Sequence, residues 1–199
     1  VPYPDGVAAA MGQSHTMLLK ADGSLWGLGR NDRGQLGDGT QETRYAPVQV
    51  ATGVTKVTAG PVNTLFLKSD GTLWGMGLGF FGAGYGIVRT TPLQIATDVA
   101  SMGHGGDATF FIKTDGTLWA MGSNINGMLG DGTSTARYTP IEVAADVAKV
   151  TLGGSHTLFV KTDGTLWGMG ANWYGQLGDG TQTSRSLPIQ IDTEVVMVA

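Results

Sequence analysis

Three histidines, His15, His104 and His156, are the side chains best suited to acid–base or metal chemistry near neutral pH. His15 and His156 share one repeated position, where other copies carry Asn63 and Ala108. That exchange fits a buried side chain hydrogen-bonded to a loop, a structural role. His104 stands three residues before Asp107 with no second histidine nearby, too little for a metal site. Asp38, Asp131 and Asp179 lie in Gly-Asp-Gly-Thr loops, which raises calcium as a ligand. A calcium loop supplies several carboxylates at alternating positions. Each of these loops offers one, and an aspartate closing a turn onto backbone N–H groups explains it more simply. The absence of cysteine excludes a disulfide framework, a thiolate zinc site and a thiol nucleophile. No Ser-His-Asp order, carboxylate pair or phosphate-cradling loop stands out from the repeat. Gly-Leu-Gly and Gly-Met-Gly follow tryptophans within predicted strands, so they are not dinucleotide signatures. The expectation is a protein that is not an enzyme, with no cofactor and no metal.

The elements that carry these residues are written in the glycines. There are 33 in 199 residues, more than twice the usual ~7%. The apolar fraction of 41% is far above what disorder requires. A net charge of −4 argues against nucleic acid or an anionic membrane as partner, since both want a basic face. No run of ~18 apolar residues offers a membrane span, and VPYPDGVAAAMG does not read as an intact signal peptide.

Asp-Gly-x-Leu-Trp begins at Asp22, Asp70, Asp115 and Asp163, a period of ~45–48 residues and the mark of a repeat architecture. Glycines Gly12, Gly60, Gly105 and Gly153 and prolines Pro47, Pro92, Pro140 and Pro188 keep the same step. The repeats run at about 7–53, 54–98, 99–146 and 147–194, with 195–199 opening a fifth, all in a single segment 1–199. The fourth predicts strands over 147–152, 157–161, 165–169 and 187–191, with a tight hairpin at Thr162-Asp163-Gly164. Leu158 and Val160 face one way and Phe159 the other, so the sheet must be covered on both faces. No helical period is present to do that, which leaves sheet against sheet: an all-β protein, a β-propeller with four-stranded blades. The hairpin glycines serve turns. Gly27, Gly75 and Gly168, with Ala120 in the third copy, are expected to let neighbouring backbones approach, and Trp26, Trp74, Trp119 and Trp167 to be buried between blades.

Gly-x-x-His-Thr, Asp-Gly-x-Leu-Trp-x-x-Gly and Asn-x-x-Gly-Gln-Leu-Gly-Asp-Gly-Thr together resemble the regulator of chromosome condensation (RCC1) repeat. The resemblance covers nearly the whole chain. It implies a propeller of about seven blades used chiefly for protein–protein contact, and it makes Pro47, Pro92, Pro140 and Pro188 candidates for cis peptide bonds. The founder's nucleotide-exchange and chromatin contacts use loops and a basic tail that this acidic chain does not match. The wording Lys-Thr-Asp-Gly-Thr-Leu-Trp-Gly-Met-Gly is most similar to bacterial secreted or surface proteins, which places the chain outside the cell or on its surface.

Differences between copies point to a binding face. The stretch from Trp74 to Pro92 is shorter than its counterparts and replaces the Gly-Gln-Leu-Gly-Asp loop with glycines and aromatics, Phe80, Phe81 and Tyr85 among them. The two residues before the loop glycine vary: Asp32-Arg33, Phe80-Phe81, Ile125-Asn126 and Trp173-Tyr174. Phe80, Phe81, Tyr85, Ile125, Trp173 and Tyr174 are therefore candidates for an apolar rim that binds a protein, set against ordinary packing between blades. An inhibitor- or adhesin-type binder of a separate protein or a sugar is the alternative.

Four units carry five opening strands, because Val195, Val196, Met197 and Val198 match the start of a further copy. A four-bladed ring would leave one over, and open blade faces and edges invite association. Three arrangements answer this: a piece of a longer propeller, two chains in a ring of about eight blades, or head-to-tail addition of the last strand to a neighbour.

Overall fold

The computed structural model describes residues 8–79, 86–105 and 108–196. They form four antiparallel sheets of four strands, each a meander in chain order. The first contains β1 (Ala8–Met11), β2 (His15–Leu19), β3 (Leu25–Gly29) and β4 (Arg44–Ala51). The second contains β5 (Val54–Ala59), β6 (Asn63–Lys68), β7 (Leu73–Gly79) and β8 (Ile87–Ala96). In the third are β9 (Val99–Gly105), β10 (Ala108–Lys113), β11 (Leu118–Gly122) and β12 (Arg137–Ala144). The fourth has β13 (Val147–Leu152), β14 (His156–Lys161), β15 (Leu166–Gly170) and β16 (Arg185–Asp192). Among the described residues the helical structure is a single 3₁₀ turn, Ile125–Gly127. The predicted strands of the fourth repeat fall where expected, with the last one longer at both ends.

The described residues divide between two compact units that part between Val99 and Ala100. In the first, Met17, Leu25, Leu36, Phe66 and Met76 form a fully buried cluster drawn from both of its sheets. In the second, Phe110, Leu118, Leu129, Phe159 and Met169 do the same. Phe66, Phe110, Phe111 and Phe159 are the largest buried side chains. Each contributes about 2–3 kcal/mol by leaving water. They sit on the second strands of the second, third and fourth sheets; in β6 and β10 all but the last residue are buried, as the doubly apolar pattern requires, while β2 alternates buried and half-buried residues.

The tryptophans are only partly buried: Trp26, Trp74, Trp119 and Trp167 each keep some exposure, and Trp74 and Trp167 pack against the buried clusters of their units. The reason is the indole N–H, which needs a partner that the apolar core lacks. Trp119 Nε1 donates to Thr117 Oγ1 at 2.8 Å, and that hydroxyl donates to Asp115 Oδ1 at 2.6 Å. One face of the ring stacks on Phe111, with centroids 6.4 Å apart, and the Lys113 ammonium lies 4.6 Å from its centroid. Asp22, Ser24, Trp26 and Lys20 repeat the hydrogen bonds and the cation contact in the first sheet, as do their counterparts in the other two. The motif Lys-x-Asp-Gly-Thr-Leu-Trp is thus one surface device that closes a hairpin and orients a ring.

Two other expectations are corrected. Peptide bonds are trans throughout the described residues, those of Pro47, Pro92, Pro140 and Pro188 included. The residue after the tryptophan makes room for side chains, not for a neighbouring backbone: a Cβ on Gly168 would lie 2.5 Å from Ile191 Cδ1 and 2.9 Å from Leu158 Cδ2. Ala120 fills the same place with a methyl group and stays fully buried.

Each repeat hands over to the next in the same way. The N–H groups of Val54, Val99, Val147 and Val195 donate to the hairpin carbonyls of Gly23, Gly71, Gly116 and Gly164, each at 2.9 Å.

Candidate functional site

The loop between the third and fourth strands of a sheet is held by one buried asparagine. Asn124 Nδ2 donates to Asp131 Oδ1 at 2.9 Å and to the carbonyls of Thr133 and Thr135 at 3.1 Å, while its Oδ1 accepts from Leu129 N–H at 2.9 Å. Asp131 Oδ1 also accepts from the backbone N–H and the hydroxyl of Thr133, and its Oδ2 from Arg137 Nε at 2.6 Å. Asn31, Asp38 and Arg44 repeat the bracket in the first sheet, and Asn172, Asp179 and Arg185 in the fourth. Burial would raise the Asp131 carboxyl, but the Thr133, Arg137 and Asn124 donors outweigh it and hold the group below its usual range. Both carboxylate oxygens are committed to protein donors, so these aspartates close turns as anticipated. The arginine half of the bracket was missed. Its signal was Arg44, Arg89, Arg137 and Arg185, each three residues before the repeated proline.

This scaffold presents the variable pair to solvent, Asn126 excepted, which is half-buried. Ile125 is 62% exposed, Trp173 57% and Tyr174 90%. Tyr174 N–H donates to Gln176 Oε1 at 2.9 Å, which leaves the phenol outward. At the same station in the first sheet Asp32 pairs with Arg30 at 2.7 Å. Ile125, Trp173 and Tyr174 therefore crown the outer loops of the second unit. Phe80, Phe81 and Tyr85 lie outside the described residues. The exposed Tyr45 and Leu187, at the start of β4 and β16, escaped the sequence reading although Tyr45 directly follows a repeated arginine.

A family model for the regulator of chromosome condensation (RCC1) repeat matches residues 22–67, 115–160 and 163–199, and a second model of that repeat matches 7–35 and 147–176. The chain belongs to the RCC1 repeat family. Its four-stranded sheets are RCC1 blades. Human WBSCR16 is similar at 21% identity and a TM-score of 0.78, over 96% of this chain and 54% of that one. Prp20p from Saccharomyces cerevisiae, studied for its binding to Gsp1p and histones, is similar at 19% identity and a TM-score of 0.79, over 97% and 52%. Yeast RCC1 (Prp20) bound to Kap60 matches at 21% identity and 0.79, over 96% and 50%. These likenesses show the fold, and the chain spans about half the length of each protein it matches.

The repeated histidine of the RCC1 blade is structural where it is described. His15 is 3% exposed, and its Nε2 donates to Thr64 Oγ1 of the next blade at 2.9 Å. Thr64 spends its own proton on the Gln35 carbonyl, which fixes that direction. Gly12 lies under the ring, where a Cβ would come within 2.2 Å of His15 Cε1. His156 is only half-buried, Asn63 fills the position in the second blade, and the side chain of His104 lies outside the described residues with Asp107. Burial pushes the His15 imidazole down to about 4. The unfolded chain then takes up a proton more readily than the folded one as pH falls below ~6.5. Stability is full above ~6.5 and declines toward pH 4, by on the order of 2–3 kcal/mol. Thermal unfolding of His15→Asn, which borrows the second blade's residue, is expected to lose most of this slope. A wild-type slope in the variant would show that other groups carry it.

Proposed function

We propose that this RCC1-repeat chain is a non-enzymatic protein-binding module whose contact surface is the crown of its outer loops. One observation carries the reading. Above the same Asn–Asp–Arg bracket, the first blade displays a charged pair while the third and fourth display Ile125, Trp173 and Tyr174, all exposed. The scaffold does not require them, and exposed aromatics cost solubility unless something covers them. Phe80, Phe81 and Tyr85 belong to the same proposal by their place in the repeat. Structural relatives studied with Gsp1p and histones, or bound to Kap60, support a protein as the partner. A setting outside a bacterial cell or on its surface is part of the proposal.

A second reading, association between copies through Val195 and Val196, rests on a different observation. Val54, Val99 and Val147 are each 3% exposed, whereas Val195 makes the same hydrogen bond but is less covered, and Val196 is 97% exposed. Met197 and Val198 lie outside the described residues. The two readings separate in one experiment, which pairs native mass measurement with capture of interacting proteins from the source organism. Trp173→Ala/Tyr174→Ala is expected to keep its unfolding free energy within ~0.5 kcal/mol while partner affinity drops thirtyfold or more. Val196→Asp is expected to change only the mass of the assembly. Unchanged capture by the aromatic variant would sink the first reading.

A further inference from the structure

A cleft of about 500 Å³ opens in the second unit between the outer loop of the third blade and the entry to β16. That volume falls in the ~300–1,000 Å³ range of small-molecule sites. Its walls carry Asn126, Thr133, Ser134, Thr135, Ser184 and Ser186, with glycines between them, and no charged side chain. The walls are tied by hydrogen bonds. Asn124 Nδ2 holds the Thr135 carbonyl at 3.1 Å, Gly132 N–H donates to the Ser186 carbonyl at 2.8 Å, and Asn172 N–H donates to Ser184 Oγ at 3.4 Å. Asn126 adopts a left-handed backbone, φ 60°. Its amide Nδ2 is buried and has no hydrogen-bond partner in the protein. The residue lines the cleft, so a ligand acceptor that reached the amide would relieve the cost of a buried donor left unpaired.

The lining of the cleft is particular to the second unit. In the first unit the same loop meets the same strand in the same way, with Gly39 N–H donating to the Thr90 carbonyl at 2.8 Å. There the positions of Asn126, Ser134, Thr135 and Ser184 hold Arg33, Gln41, Glu42 and Val88. The second unit has replaced bulky, charged or apolar residues with small neutral ones bearing hydroxyl and amide groups. We propose that this cleft binds a neutral carbohydrate. Hydroxyls that both donate and accept, together with an amide donor, match the alternating demands of sugar hydroxyls. An ion entering the cleft would find no counter-charge to repay its lost hydration. The exposed apolar Ile125 directly precedes the wall residue Asn126 in sequence.

The test is a calorimetric and NMR titration of the full chain with glucose, galactose, mannose and N-acetylglucosamine, and with trisaccharides of each. Concentrations reach about 10 mM, above the millimolar constants a shallow site gives. At least one of these sugars is expected to bind and to shift the side-chain amide resonances of Asn126. Asn126→Gly keeps the left-handed backbone and the outward Ile125, Trp173 and Tyr174, yet should weaken binding about tenfold. Ser134→Gln/Thr135→Glu, which copies the first unit, should abolish it while the unfolding curve stays that of the wild type. The proposal is overturned if none of the sugars binds, if both variants bind as the wild type does, or if short peptides and not sugars move the Asn126 resonances. Ser134→Gln/Thr135→Glu alters the cleft and leaves Ile125, Trp173 and Tyr174 in place, so loss of sugar binding with protein capture intact separates the cleft from the crown.

Discussion

Asn124→Ala is expected to destabilise the second unit by about 3 kcal/mol, a drop of roughly 10 °C in unfolding temperature. No catalytic or partner contact is involved; the effect comes from what the amide holds together. Removing it strands the Leu129 N–H, which Asn124 Oδ1 accepts at 2.9 Å beside the fully buried Leu129 side chain. A buried N–H without a partner costs about 1–3 kcal/mol by itself. Asp131 loses one of its donors, and the carbonyls of Thr133 and Thr135 lose the group that draws the loop together. Asn124→Asp separates these contributions. It keeps the acceptor for Leu129 but sets a second carboxylate against Asp131, where like charges raise the proton affinity of the pair. The folded pair then binds a proton more tightly than the unfolded chain, so stability lost at neutral pH returns as the pH falls. Chemical denaturation of the three proteins at pH 7 and pH 5 measures this. An alanine variant within 1 kcal/mol of wild type would mean that the bracket is incidental to the blade.

The second large effect lies in the glycines. Gly170 ends β15 with φ +100°, and a Cβ there would stand 2.6 Å from the Ser155 carbonyl oxygen and 2.7 Å from His156 Cα. Both are backbone atoms of the adjoining strand end and cannot step aside without breaking the pairing of His156 with Gly170. Gly180 has a comparable φ of +75° but nothing within 4 Å of the added carbon. Gly180→Ala should cost only the left-handed strain of about 1–2 kcal/mol. Gly170→Ala adds the collision and should cost at least about 3 kcal/mol. Equal unfolding free energies for the two would show that backbone conformation alone, not close approach, explains the glycine at the strand end.

Much of the architecture was readable because the repeat states it four times. The Asp-Gly hairpins, the doubly apolar second strand and the all-β class follow from Asp163-Gly164 and from Leu158, Phe159 and Val160. What stayed hidden were relations across the loop. Arg137 lies six residues from Asp131, and only folding places its guanidinium against the carboxylate. The tryptophans are less buried than their area suggests, because the indole N–H reaches a hydroxyl and a lysine lies over each ring. For the crown, the variable pair singled out Ile125, Trp173 and Tyr174, but their exposure had to come from the structure. The cleft beside Asn126 left no mark in a consensus, because it arises from what two distant stretches omit.

The hand-over bond from each opening valine to the preceding hairpin carbonyl has an evolutionary consequence. Donor and acceptor belong to successive copies, and the same pair of atoms recurs at the same distance. A gene duplication that spans one whole period therefore delivers a fresh segment with its docking bond already matched at both seams. One that spans a fraction of a period leaves a valine N–H without its carbonyl and a hairpin without its successor. Growth and loss in such a lineage should proceed in whole copies, with drift confined to the loop positions that the brackets and the valine bonds do not touch.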